Sequence, residues 1–398
     1  MAKSWIELGL MTGSPPAPDK IVTLKNYDRE PNQRWSFLNM RELIPSALVA
    51  RGETKSVLPR NERDLKGFGF THDGHRYTLA EMMDETYVDG LMVIHDGEVI
   101  FEHYVEGMTE STRHIAQSVS KSVVATVAGI LIGRGELRTD AMVTDYLTEL
   151  RGTSWDGCSI QNLLDMRTGT AFDETDYEDA DSESFRGFRI LGWLERLADD
   201  PWPHEYIAQL PNAAEHGGKF EYRSILTDVL AWCMERVTSR HLAELVATEL
   251  WAPMGAAYDA DFLVGPASFA MASGGFCLTL GDLARFGLMH LNNGAVGDTQ
   301  VVPSSWVEGL RTHDETLVDA FSGAAATHPT DAFYHNQWWI RDARAGIYSG
   351  YGINGQQVLV HQPSRTVVAK FSSWPRPWID ESAALCDAGL LALCDSLA

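Results

Sequence analysis

No stretch of this 398-residue chain reaches 18 consecutive apolar residues, so nothing in it reads as a membrane-spanning helix. Its first twenty residues, MAKSWIELGLMTGSPPAPDK, hold no unbroken apolar run of signal-peptide length and no small-residue cleavage pattern. Cysteine is scarce: five residues, at 158, 233, 277, 386 and 394, an odd number, widely spaced and mostly inside apolar runs. They read as reduced core thiols, not as a disulfide frame or a zinc site, and the expected location is the cytoplasm. Positive charge is short as well. Against 55 Asp and Glu stand 32 Lys and Arg, a net charge of −23, so nucleic acid and an anionic membrane surface are both disfavoured as partners. His72 and His75 in HDGH have no further ligands at a recognisable spacing and define no metal site.

What is present is an ordinary globular composition, 44% hydrophobic and 22% charged, with length for one large domain or two moderate ones. Residues 1–65 show little sustained periodicity and read as an extended arm wrapping the body. A helix is expected at about 78–88, then a hairpin over 91–104 turning at Asp96-Gly97. The run VVATVAGILI (123–132) reads as the core of a buried helix ending near Gly133 and Gly135. Helical spacing recurs over 158–169, 224–237, 241–251 and 283–291, strands over 356–360 and 366–374, and a last helix over about 381–397. The acidic stretch FDETDYEDADSESFRGF (172–188) looks too polar for a core element. It is either a mobile loop over a site, with Gly187 as a hinge, or a solvated excursion. Strands at both ends with helices between predict an α+β protein. A sheet domain would come from 1–140 plus 270–398, with a mostly helical domain, 141–269, inserted.

Three stretches carry candidate chemistry. In QSVSKSVV (117–124), Ser118 and Lys121 open the apolar run three residues apart, on one helix face. Burying an ammonium costs several kcal/mol unless it is paired or loses its proton, so this lysine is poised to act as a base for the serine. A Ser N-cap with a Lys reaching for solvent is the alternative. In FEYRSILTD (220–228), Tyr222 precedes another helix; beside a lysine it can be held as phenolate or relay a proton. In SGYGING (349–355), glycines leave room for a substrate beside one strand, with the Ser118 and Ile353 N–H groups as oxyanion donors. A bulged edge strand is the alternative there.

Ser118-Val-Ser-Lys121 opening an apolar helix, NLLDMRTG (162–169) and Tyr222-Arg-Ser224 together resemble the serine β-lactamase and penicillin-recognising fold. LWAPMGA, SGGFCLTLGDLARFG and GQQVLVHQPSRTVVAKFSSWP extend the likeness over nearly the whole chain from about residue 30. Within that group, QRWSF…ELIPSALVARG (33–52), SVSKS, the Tyr-x-Ser form of the second motif, QWW (337–339) and SSWP resemble the 6-aminohexanoate-dimer hydrolases, which have carboxylesterase side activity. The resemblance implies an antiparallel sheet flanked by helices. It implies Ser118 as nucleophile, Lys121 as base, Tyr222 as proton relay and the Ser118 and Ile353 N–H groups as the oxyanion hole. Tyr177 would close over the bound amide, and Ser224, Ser273, Gly352 and Trp339 would border the substrate. No metal or organic cofactor is implied; the partner is a small amide or ester, and a homodimer is left open.

Two departures narrow the expectation. Ser273 stands where that family carries a different polar residue, which bears on substrate identity. β-Lactamases and DD-peptidases carry a cationic triplet where this chain has Gly350-Tyr351-Gly352, and usually Asn where it has Ser224. Losing a charge-assisted contact to a carboxylate costs roughly 1.5–3 kcal/mol, which disfavours antibiotic or peptidoglycan chemistry. The expected activity is hydrolysis of short linear amides of the 6-aminohexanoate kind and of small esters, through an acyl-enzyme. The rivals are a carboxylesterase without useful amidase activity, a DD-peptidase-like or β-lactamase-like enzyme, and a non-catalytic binding relative.

Overall fold

A computed structural model describes residues 3–174, 182–322 and 329–398. In chain order, the elements that position the site are β1 (Ser46–Val49), α1 (Leu79–Glu85), β2 (Val88–His95), β3 (Glu98–Tyr104), β4 (Arg113–Ile115) and α2 (Val119–Gly133). After them come α3 (Ile160–Leu164), α4 (Glu183–Leu191), α5 (Ile225–Thr238), β5 (Ala260–Leu263), β6 (Phe276–Thr279) and α6 (Leu280–Leu291). The chain closes through β7 (Phe333–His335), β8 (Trp338–Asp342), β9 (Ile347–Gly352), β10 (Gln356–His361), β11 (Thr366–Ser372) and α7 (Asp380–Asp395).

Among the described residues the main sheet has seven strands in the order β7-β8-β9-β10-β11-β2-β3, all antiparallel. Strands from both ends of the sequence therefore meet within it, where β11 pairs with β2. Alternation along these strands feeds two cores. Leu91, Val93, Leu359 and Val368 pack with Leu385, Leu390 and Leu393 of α7. Met92, Ile94, Val358, Val360 and Val367 face the larger core that contains α2 and α6. The β2–β3 hairpin turns on Asp96 and Gly97, both at positive φ (50° and 82°), the geometry that matches the strands' own twist. All five cysteines are free and buried, and among the described residues no helix is long and apolar enough to cross a membrane.

Helix α2 runs through the interior, buried from Val119 to Leu131. That explains its apolar residues all round: it has no solvent face to keep polar. Neighbours come close enough that a Cβ on Gly129 would meet the Trp306 ring at 2.4 Å.

Two expectations are corrected. The first 65 residues are more than an arm. Leu10, Val22, Tyr27, Trp35, Phe37, Met40 and Ile44 build a core of their own with Ile115, Leu263, Met271 and Cys277. β1 also pairs with β5 in a second sheet, β1-β5-β6-β4, that carries the approach to α2. The cue in the sequence was weak, because these apolar residues are spaced by turns and not by one period. The second half of the acidic stretch is not an excursion either. Residues 183–191 form α4, capped by Ser182 and ended by left-handed Gly192, with Ser184, Gly187, Ile190 and Leu191 buried. Gly187 is a contact glycine, not a hinge: a Cβ there would meet the Phe172 ring at 2.8 Å. Tyr177 lies outside the described residues, as does the rest of 175–181.

The N-terminal core is tied to the main sheet by a buried ion pair, Arg34 Nη1 to Asp89 Oδ1 at 2.6 Å, with side chains 5% and 1% exposed. Ser373 also donates to Asp89, and His114 Nε2 lies 3.3 Å from it. Removing the guanidinium strands a buried carboxylate, which typically costs about 3–5 kcal/mol. Arg34→Ala is expected to lower the free energy of unfolding, read from urea titration, by an amount in that range; a loss under about 1 kcal/mol would show that solvent reaches Asp89 freely.

Candidate active site

Strand β4 leads into α2 through a sharp turn. Ala116 N–H donates to Phe276 O (2.8 Å), and Gln117 then adopts φ +47°, a conformation a non-glycine residue holds only when its surroundings fix it. Ser118 follows as the N-cap of α2 but makes no side-chain capping bond, so its hydroxyl is directed elsewhere. Lys121 Nζ donates to Ser118 Oγ at 2.8 Å and to the Ser273 carbonyl at 2.7 Å. Lys121 is 1% exposed. Burial pulls its pKa below the ordinary lysine value, and the Glu174 and Asp228 carboxylates act in the opposite direction. The lysine reaches for the serine, not for solvent.

Tyr222 lies against the same ammonium, with Lys121 Nζ 5.0 Å from its ring centroid. Trp339 stacks on the Tyr222 ring at 5.6 Å and 24°, and Tyr334 meets it edge-on at 6.1 Å. Burial, then the Glu174 charge, push the Tyr222 hydroxyl well above the ordinary phenol value, against a hydrogen bond with Ser118. Burial thus favours the neutral phenol over a standing phenolate.

A cavity of about 470 Å³ is lined by Ser118, Ser224, Ser273 and Ile353 among others. Ser224 stands at the N-cap position of α5 without a capping bond; its N–H and its hydroxyl both donate to Glu174, the hydroxyl at 2.5 Å. Gly352 ends β9 close to the Ser118 turn: a Cβ there would meet the Ala116 carbonyl at 2.7 Å. Its lack of a side chain lets the strand approach that turn and brings the following residue, Ile353, onto the cavity wall. Trp339 serves as a platform for Tyr222. Tyr351 turns away, its hydroxyl donating to Asp387 at 2.9 Å. Among the described residues no group of three or more His, Cys, Asp or Glu could hold a metal ion.

Sequence reasoning missed three contributors. Glu174 was hidden among many carboxylates of the acidic stretch. Asp228 sits inside SILTDVLAWC, where a charge within an apolar helical run was the available cue. Tyr27 to Glu30 of the N-terminal segment also line the cavity, which nothing local foretold.

The β-lactamase family model matches residues 76–384. The 6-aminohexanoate-dimer hydrolase of Paenarthrobacter ureafaciens is 35% identical over 357 residues, covering 89% of each chain. Esterase EstB of Burkholderia gladioli is 31% identical over 162 residues, 37% of this chain and 38% of its own. Among solved structures, a Bacillus anthracis protein provisionally named 6-aminohexanoate-dimer hydrolase superposes with a TM-score of 0.86 at 26% identity, covering 96% of this chain and 98% of the other. The chain belongs to the β-lactamase family and is a serine hydrolase of its β-lactamase and penicillin-binding-protein fold.

A base must be neutral to accept a proton, so a lowered lysine pKa extends activity downward in pH. The acid limb of kcat/KM is expected well below the ordinary lysine value of about 10.4. Lys121→Arg, which stays charged, should lose at least about a hundredfold. A limb near 10, or a Lys121→Arg variant of wild-type activity, would remove Lys121 as the base.

Proposed function

We propose that this enzyme hydrolyses short linear amides of the 6-aminohexanoate-oligomer kind, and small acyl esters, through an acyl-enzyme on Ser118. The observation that carries the reading is the buried Lys121 amine 2.8 Å from Ser118 Oγ, with Ser118 itself on the cavity wall. In the proposed sequence Ser118 Oγ attacks the carbonyl carbon while its proton passes to Lys121. The Ser118 and Ile353 N–H groups receive the oxyanion; one such donor is typically worth about a hundred- to a thousandfold in rate. The tetrahedral centre collapses, the carbon–nitrogen or carbon–oxygen bond breaks, and Tyr222 passes a proton from Lys121 to the leaving atom. Water then attacks the ester on Ser118 by the same route and frees the acid.

The cavity walls support the substrate class. Phe185, Phe188, Trp193 and Leu194 offer an apolar wall for an aliphatic chain. Arg29 brings a cation, and Asp28 and Glu30 bring anions, to the same cavity from the N-terminal segment. A linear chain with an amine at one end and a carboxylate at the other finds apolar surface and both signs of charge. No cation comes from 350–352, the place a β-lactam or peptide carboxylate would need one.

An amine must be protonated as it departs, whereas a nitrophenolate leaves with little help. Tyr222→Phe is therefore expected to lower hydrolysis of the linear 6-aminohexanoate dimer by about a hundredfold or more, and that of a nitrophenyl ester by much less. Equal losses would mean that Tyr222 acts before the leaving-group step or only in structure. A wild-type enzyme that turns over the ester and not the dimer would favour the esterase reading.

A further inference from the structure

Helix α5 carries a carboxylate where its surroundings are apolar. Asp228 is 2% exposed, and Ile225, Leu226, Val229 and Leu230 around it are fully buried. It lies four residues after Ser224, so both occupy one face of the helix a turn apart. That face serves two carboxylates in different ways. Glu174 is engaged by the Ser224 N–H and hydroxyl. Asp228 Oδ1 instead accepts the Ser273 N–H at 2.9 Å, and the Ser273 carbonyl accepts Lys121 Nζ at 2.7 Å. One residue thus links Asp228 to the amine that bonds Ser118.

We propose that Asp228 is the positioning residue for Lys121: it fixes the Ser273 backbone that receives the amine, and it supplies the buried negative charge against which Lys121 keeps the proton taken from Ser118. The proposal rests on the reading of Ser118 as nucleophile and Lys121 as base. A neutral Ser, Thr or Asn would satisfy the Ser273 N–H without the cost of burying a charge, so a carboxylate there calls for a cation nearby. When the Ser118 proton moves, a full positive charge forms on Lys121, which is almost wholly buried. An anion already in place stabilises that charge without reorganising as the reaction proceeds. Burial raises the proton affinity of Asp228, and the charged groups acting on it are Lys121 of α2, which opposes the rise, and Glu174 of the segment before residue 175, which adds to it.

The sign of the effect follows. Burial lowers the Lys121 pKa and the Asp228 charge raises it. Without that charge, Lys121 releases its proton at lower pH and is a weaker base once neutral. The test is the rate at which a fluorophosphonate probe labels Ser118, followed by mass against pH, in wild type, Asp228→Asn and Asp228→Ser. Labelling joins Ser118 Oγ to phosphorus, expels fluoride and sends the serine proton to Lys121, so it reads the base directly. In both uncharged variants the acid limb is expected to move down by about one pH unit or more, and the plateau rate to fall about tenfold or more. Either variant suffices if the other does not fold. A purely structural Asp228 would lower the melting temperature and leave the limb in place, which would overturn the proposal. A wild type not labelled at Ser118 would overturn instead the underlying reading of nucleophile and base.

Discussion

The cost of holding an ammonium out of water organises this molecule. Lys121 sits in the first turn of a helix buried from Val119 to Leu131, where an isolated cation would be unstable by several kcal/mol. The structure answers with acceptors and charge, not with solvent. Ser118 Oγ and the Ser273 carbonyl accept from the amine, the Tyr222 ring lies 5.0 Å away, and Glu174 and Asp228 supply negative charge. These groups arrive on four segments, Tyr222 and Asp228 together at the start of α5. The strand-to-helix turn, the acidic stretch, the start of α5 and the turn before β6 must all be placed before the lysine is tolerated. Fold and chemistry are coupled through that one side chain.

The same constraint explains the glycines around the turn. Gly350 and Gly352 let β9 lie against α2 and its approach, since a Cβ would meet Ser122 Oγ at 2.9 Å or the Ala116 carbonyl at 2.7 Å. That closeness puts Ile353 on the cavity wall with Ser118. On the far side, the N-terminal segment packs its own core against β5 and β6 and brings Tyr27 to Glu30 to the cavity. The residues that hold the lysine come from the body of the fold, while those that would select substrate come partly from this segment and from α4. The two can therefore vary separately.

Much of this was legible in the chain. Asp96-Gly97 between two β-rich runs signals a hairpin through local turn chemistry, and VVATVAGILI signals a buried helix through composition alone. Ser118, Lys121 and Tyr222 were legible because a lysine in an apolar run is a physical anomaly that asks for a reason. What stayed hidden depends on distant pairing. Glu174 is one acid among many until Ser224 is seen to bind it. Asp228 is a lone charge in an apolar helical run, and its partner is not apparent until Ser273 is folded over it. Trp339 was expected beside substrate; its stacking on the Tyr222 ring, across more than a hundred residues, is a pairing no local pattern announces.

The central claim is that Ser118 forms a covalent acyl intermediate. Its most direct test is the intact mass of enzyme quenched in acid during turnover of a slow nitrophenyl ester, followed by peptide mapping. The account predicts a mass increase equal to one acyl group, carried by the peptide containing Ser118 and missing when Ser118 is replaced by alanine. An adduct on any other residue, or steady hydrolysis with no adduct under conditions where deacylation is slow, would contradict it.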